Sequence, residues 1–427
     1  MGLVWIPYFR PNMKFEQSGW AFGMGHQVWR VTGAVACLLV LAFGLYGQPK
    51  GVQQVIGPVE TSFRSMNLEG QMVRSGDDAL FIGWRSARRG VPYNNIYLQK
   101  VDHAGKPFWE ADGTPLCPYP ANQDAFSMVE DGYGGLIVVW EDYRHGLDAP
   151  AIYAQRINMR GEPLWGSDGL RICESPAGQR KPRVISDLEN GFYVVWEDYR
   201  PGNESVDIYA QLLDLGGRLR WRVQGMPVTT AVGIQQNFTL ATDEKHFLYL
   251  IWEDFRNGVY WNLHAQKLDQ AGNFFWKAGG LDIFAGVEEN HHRPSIVPDG
   301  YGGLLFVYQK YSNETQGTDI YRGRINAAGE VIFHFATCYA ANEQLNPVIM
   351  KKGSKAVMCW EDRRNGNWDI YAQMIRLHDG ILEWDINGVP VANSPLDELN
   401  PMVVTSASYG YQLFSWSRVS SEGKQVY

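Results

Sequence analysis

The chain is poor in cysteine. It has five in 427 residues and no C-x-x-C pair, which excludes a disulfide-built scaffold and a thiolate zinc site. Basic charge is short as well: 38 Lys and Arg stand against 46 Asp and Glu, a formal charge of −8, with a pI near 5.6. That balance excludes the basic surface a nucleic acid requires. No sustained 3.6-residue apolar period runs through the chain, which argues against a helical bundle. The G-x-S-x-G, H-E-x-x-H, P-loop and dinucleotide signatures are missing, so no cofactor, no metal and no ready-made catalytic constellation are expected. One long apolar run occurs, VTGAVACLLVLAFGLYG at 31–47 after Arg30. A basic residue, a short apolar stretch and small residues at its end form an export signal. Residues 1–47 therefore read as a leader and 48–427 as the exported chain, secreted, periplasmic or at the cell surface, with no membrane span after cleavage. The rival is a single membrane anchor, for which 17 residues is the lower limit.

Aromatic residues and glycine are abundant, with 16 Trp, 22 Tyr, 19 Phe and 46 Gly. They suit short strands joined by tight turns. Trp84, Trp140, Trp196, Trp252, Tyr308, Trp360 and Trp416 follow one another at 56, 56, 56, 56, 52 and 56 residues. A fixed period of this length marks a repeat architecture. The clearest copies are VVWEDYRHGLDAPAIYAQRINMRGEPLW (138–165) and VVWEDYRPGNESVDIYAQLLDLGGRLRW (194–221). Each unit reads as four strands: one after an X-Pro step, one ending at the key Trp, one at D-I-Y-A-Q, and one near Trp165, Trp221 and Trp276. The expected fold is all-β, a seven-bladed propeller of four-stranded antiparallel blades. Repeat seven stops at Tyr427 within its third strand, and Gln53–Glu60 resembles a fourth strand. The N-terminal strand is thus expected to close the last blade, with an open or longer array as the alternative. Cys117 and Cys173 fall at equivalent places of successive repeats, too far apart for a bridge, so free buried thiols are expected.

The pairs Glu141/Asp142, Glu197/Asp198, Glu253/Asp254 and Glu361/Asp362 look like acid–base machinery. Neighbours on a strand point to opposite faces, however, and cannot converge on one bond. Recurring four times, with Arg144, Arg200, Arg256 and Arg364 on the Asp face, they read as blade construction. Function is then sought where the repeat breaks, at Arg85, Arg88, Tyr308, Lys310 and Arg418. A second place is the rim of the central channel, where counting from the Trp places Asp124, Arg180, Gln235, His291, His292, Gln344 and Glu398. None of these is assigned a catalytic role.

W-E-D-x-R-x-G followed by D-I-Y-A-Q and D-x-x-G-x-x-L-W resembles the repeats of secreted bacterial β-propeller proteins of the Bacteroidetes type, over residues 53–427. The resemblance implies a propeller in a secreted or cell-surface setting and assigns no chemistry. The S-x-D-x-G-x-T-W boxes of sialidases, which share the general fold, are absent. The chain therefore reads as a non-enzyme, a non-catalytic binding or scaffolding propeller for a protein or glycan partner. The alternative is a glycan-active hydrolase or lyase with its site at the channel, using residues such as Glu398, Asp124 or His292.

Overall fold

The computed structural model describes residues 66–426, apart from 78, 89–90, 103–104, 111, 201–204, 406–411 and 421–422. Within them the chain forms seven antiparallel sheets in strict sequence order. Six have four strands. The seventh, built from Asp397–Thr405, Gln412–Ser420 and Gly423–Val426, has three among the described residues. The segment 53–60 offered as its closing strand, and the leader, lie outside the described residues. The first strand of each sheet is innermost. Gln123–Glu130, Gln179–Ser186, Gln235–Thr242, His291–Pro298 and Gln344–Lys352 stand side by side and wall a central channel.

The key tryptophans fill the space between blades. Trp140, Trp196, Trp252 and Trp360 are fully buried, and each packs into a cluster with side chains of the preceding blade: Trp140 with Phe81 and Leu98, Trp196 with Ile137 and Val139. Burying an indole of this kind stabilises by roughly 5 kcal/mol. The indole N–H would be an orphan there, and the Asp two residues on accepts it, as Trp196 Nε1 donates to Asp198 at 2.9 Å. The same carboxylate accepts the Arg200 backbone N–H and the Nε and Nη2 N–H groups of its guanidinium, at 2.7–3.0 Å. W-E-D-x-R is thus a clamp that satisfies a buried carboxylate completely. The four cysteines among the described residues are free and buried, three of them against these clamp arginines.

In blades two, three, four and six the fourth strands are Leu170–Arg171, Met226–Thr229, Leu281–Asp282 and Val389–Ala392, several residues after the tryptophans of the motif. Trp109, Trp165, Trp221 and Trp276 instead reach across to the following blade. Trp165 Nε1, for example, donates to the Leu215 carbonyl at 3.3 Å. Its ring lies against Gly217, where an added Cβ would stand 3.0 Å from the indole and the backbone holds φ +84°. The D-x-x-G turn therefore carries glycine both for its conformation and for the neighbouring ring.

Candidate functional site

Every inner strand from blade two to blade seven carries a bulge where the residue takes a left-handed conformation: Ala125, Lys181, Asn237, Arg293, Asn346 and Asn400, at φ 35–56°. The bulge turns an N–H outward, which Asp124 itself accepts at Ala125 and which elsewhere the W-E-D glutamate of the preceding blade accepts wherever that blade carries the motif. Glu141 takes Lys181 N–H at 2.7 Å, Glu197 takes Asn237 at 3.0 Å, Glu253 takes Arg293 at 2.9 Å and Glu361 takes Asn400 at 2.6 Å. Gln309 does the same for Asn346. Asp clamps within a blade; Glu clamps one blade to the next.

This register decides which residues see the channel. Asp124, Arg180, Gln236, His292, Leu345 and Leu399 are the cross-strand partners of Glu141, Glu197, Glu253, Gln309, Glu361 and Ser417. They therefore share the channel face and form one layer at its mouth. Of the rim residues expected from the sequence, Asp124, Arg180 and His292 belong to this layer. Gln235, His291, Gln344 and Glu398 do not. They sit one position earlier, buried at 0–2% exposure, and point into the blades beside the clamps, because a shift of one residue reverses the face.

The repeat-breaking residues are likewise compensated inside the fold. Tyr308 is buried, stacked within an aromatic cluster of Phe284, His291 and Phe306 that replaces the Trp–Asp–Arg clamp of blade five. Lys310 pairs with Glu289 at 2.7 Å. Arg418 pairs with buried Glu398 at 2.7 Å, a clamp whose charges have changed places. Arg88 lies over the Tyr97 ring, 3.6 Å from its centroid, and donates to the Asp112 carbonyl. Arg85 takes the place of the clamp glutamate in blade one and ion-pairs with Asp124.

Blade two is consequently distinctive. Among the described residues it alone sets a second carboxylate, Asp124, across from the clamp glutamate. Glu141 is buried, and burial pushes its carboxyl above the usual range, outweighing Lys181 N–H, Tyr143 and Arg180. The Tyr143 hydroxyl donates to Glu141 Oε2 at 2.8 Å and accepts from Arg180 Nη1 at 3.0 Å. Burial and the neighbouring Glu141 push that phenol up to about 12. Arg180 lies between the rings of Tyr143 and Tyr199, 6.0 and 5.8 Å from their centroids. In blade four, burial would raise Glu253, but His292 Nδ1 at 3.3 Å, the Arg293 N–H and Asn237 outweigh it and hold the carboxyl below the usual range. Trp261 flanks this pair, tilted against Phe255 and His292. Tyr143, Tyr199 and Trp261 were not among the expected site residues. The signal for two of them is the aromatic x of W-E-D-x-R, which repeats without being needed by the clamp.

Below the mouth the channel opens into a cavity of about 490 Å³, walled by inner-strand residues of blades two to six. Among the described residues no group of three His, Cys, Asp or Glu is arranged to hold a metal ion.

No protein-family model matches the sequence, and no curated protein matches it. Solved structures do match. The chain is similar to a protein of unknown function from Dyadobacter fermentans, at 10% identity over 74% of this chain and 96% of that one, with a TM-score of 0.46. It is similar to the GH93 α-L-arabinofuranosidase of Fusarium graminearum, at 11% identity over 74% and 94%, TM-score 0.45. It is similar to a PL25 ulvan lyase, at 6% identity over 79% and 82%, TM-score 0.48. The two named by activity are catalytic, a glycoside hydrolase and a polysaccharide lyase. Their activities stand against two expectations drawn from the sequence, that the propeller is non-catalytic and that the chain is not an enzyme, and neither expectation is carried further. At such identity the likeness is one of fold, and the chemistry must come from the residues of the channel mouth.

Proposed function

We propose that this propeller is a glycan-active hydrolase working at its channel mouth, outside the cytoplasm. The observation that carries the reading is the Asp124–Glu141 pair, two carboxyl groups on adjacent strands facing one channel and placed in opposite environments. Glycoside hydrolysis needs one protonated and one ionised carboxyl flanking the bond. Glu141, whose carboxyl burial pushes above its usual range, is the acid. Once protonated, Glu141 gives its proton to the Tyr143 oxygen, while the phenol O–H, which donates to Glu141 Oε2 in the ionised state, turns to the glycosidic oxygen and protonates it, so the C–O bond breaks without an alkoxide forming. Asp124, ion-paired to Arg85 and part-exposed, is the carboxylate that attacks the anomeric carbon. Water, deprotonated back through Tyr143 to Glu141, then releases the sugar. The aromatic faces of Tyr199 and Trp261 offer stacking surfaces for pyranose or furanose rings. The apolar run at 31–47 supports export.

Reducing-end release from a panel of plant, algal and bacterial polysaccharides tests the proposal. Turnover that falls by about 10²–10⁴-fold in Asp124→Asn and in Tyr143→Phe, with melting temperature unchanged, supports it. Equal turnover in Asp124→Asn and the natural chain overturns it.

A further inference from the structure

We propose that Trp261, Tyr311 and Trp368 form an arc on the rim of the channel mouth that binds a glycan along its length, so that the substrate is a polysaccharide cut at internal bonds. The proposal deepens the hydrolase reading and rests on it only for where the cut falls.

The arc stands on a position that the fold uses through its backbone alone. The residue before the third strand accepts, with its carbonyl, an N–H at the start of the next blade's inner strand. Asn94 accepts from Gln123, Pro150 from Gln179, Val206 from Gln235, Trp261 from His291 and Trp368 from Glu398, at 2.7–3.0 Å. Asparagine, proline and valine serve there, so the bond has no need of tryptophan. In blade five the position is Thr318, and directly opposite it on the neighbouring strand, hence on the same face, is Tyr311, 52% exposed. Three successive blades, four, five and six, thus carry an aromatic side chain on the rim. Blade three, with Arg180 and Tyr199, lies between them and the Asp124–Glu141 pair. A chain laid along the arc therefore reaches the pair with sugars already bound on one side of it.

The two indoles are supported without being consumed. Phe255 packs 4.9 Å from Trp261, and the Arg363 guanidinium lies 5.6 Å from the Trp368 centroid, yet both indoles stay half-exposed. Their N–H groups have no hydrogen-bond partner among the described residues. The other indoles are spent on the fold: those of the clamps donate to their aspartates, and those of the D-x-x-G turns donate to the following blade. A ring beside an unspent donor suits a sugar, which offers a C–H face to the ring and hydroxyls at its edge to the N–H. His292 adds to this beside Trp261, 6.3 Å between ring centroids. It turns Nδ1 to Glu253 at 3.3 Å and leaves Nε2 for a hydroxyl. The three aromatics stand one to a blade, spaced along the rim and not gathered into the contiguous apolar patch of a protein interface.

Affinity electrophoresis of the full chain carrying Asp124→Asn, in gels holding arabinan, β-1,4-galactan, xylan, β-1,3-glucan or alginate, tests this. Calorimetry follows with the disaccharide and hexasaccharide of each polymer that retards the chain. The expected result is retardation by at least one polymer, with its hexasaccharide bound at least tenfold tighter than its disaccharide. Trp261→Ala and Trp368→Ala should each weaken the hexasaccharide at least tenfold, and Trp261→Tyr, which keeps a ring, should weaken it less. Retardation in no gel overturns the proposal and points to a protein as the partner of the arc. Equal affinity for the two lengths overturns it even if a variant fails to fold, as does unchanged hexasaccharide binding in the folded alanine variants. Length-dependent binding with no cleavage by the natural chain removes the hydrolase reading and leaves this one standing. Release of single sugars from chain ends, with no gain in affinity with length, does the reverse.

Discussion

Glu141 and Glu197 occupy the same position of successive repeats and make the same bond to the next blade's bulge, yet one faces Asp124 and the other Arg180. Position in the repeat sets the structural duty of a residue; its cross-strand neighbour decides whether it can do more. His291 shows the same division. It stands where other blades carry a buried Gln, stacked 3.9 Å from Phe284, and burial, with Lys310 nearby, holds its imidazole down to about 4 from 6.5. The folded state therefore prefers the neutral ring. That contribution is complete above pH 6.5 and is lost as pH falls from 6.5 towards 4, amounting to roughly 3 kcal/mol. Denaturant midpoints measured between pH 7 and 4.5 should show this loss, and His291→Gln should flatten it. An unchanged slope in the variant would place the titration elsewhere. The clamp residues were legible in the sequence because they recur. Asp124, Arg180 and His292 were legible as polar breaks in the repeat, but the neighbours Gln235, His291, Gln344 and Glu398 were not separable from them. Counting across a hairpin and a bulge does not preserve parity, and one residue exchanges channel for core.

At the scale of strands and turns, the blade is held by contacts that local pattern understates. The Trp of D-x-x-G-x-x-L-W reads as a strand residue and serves as a bridge between blades. Gly217→Ala should cost about 1–3 kcal/mol, since the new Cβ meets the Trp165 ring at 3.0 Å on a backbone at φ +84°. A melting curve indistinguishable from the natural chain would contradict that. Cross-strand pairing bears on the chemistry too. It brings the Cβ atoms of Asp124 and Glu141 to about 5 Å, and a nucleophilic Asp124 implies retention through a covalent intermediate. Proton NMR of the first-formed product should show the anomeric configuration of the substrate preserved; the inverted anomer would contradict Asp124 as the nucleophile. Nothing in the sequence pairs Asp124 with Glu141, because they lie on different strands and meet only through register.

At the scale of the whole molecule, seven repeats of one plan make a channel, and a departure from the plan sets Asp124 across from Glu141 at its mouth. The period at Trp84 through Trp416 was enough to read the propeller, because a sheet that cannot bury its faces alone must stack on copies of itself. The proposed activity was not readable in the same way, since the W-E-D motif recurs in four blades as construction and only one of the four stands across from a second carboxylate. The direct test is therefore a comparison of two identical substitutions, Glu141→Gln and Glu197→Gln. Each weakens the same clamp between blades, and the two should lower stability alike. Hydrolysis of whichever glycan the panel identifies should fall by 10²-fold or more in Glu141→Gln and stay within a few-fold of the natural rate in Glu197→Gln. Equal rates in the two variants would contradict a site at Asp124 and Glu141.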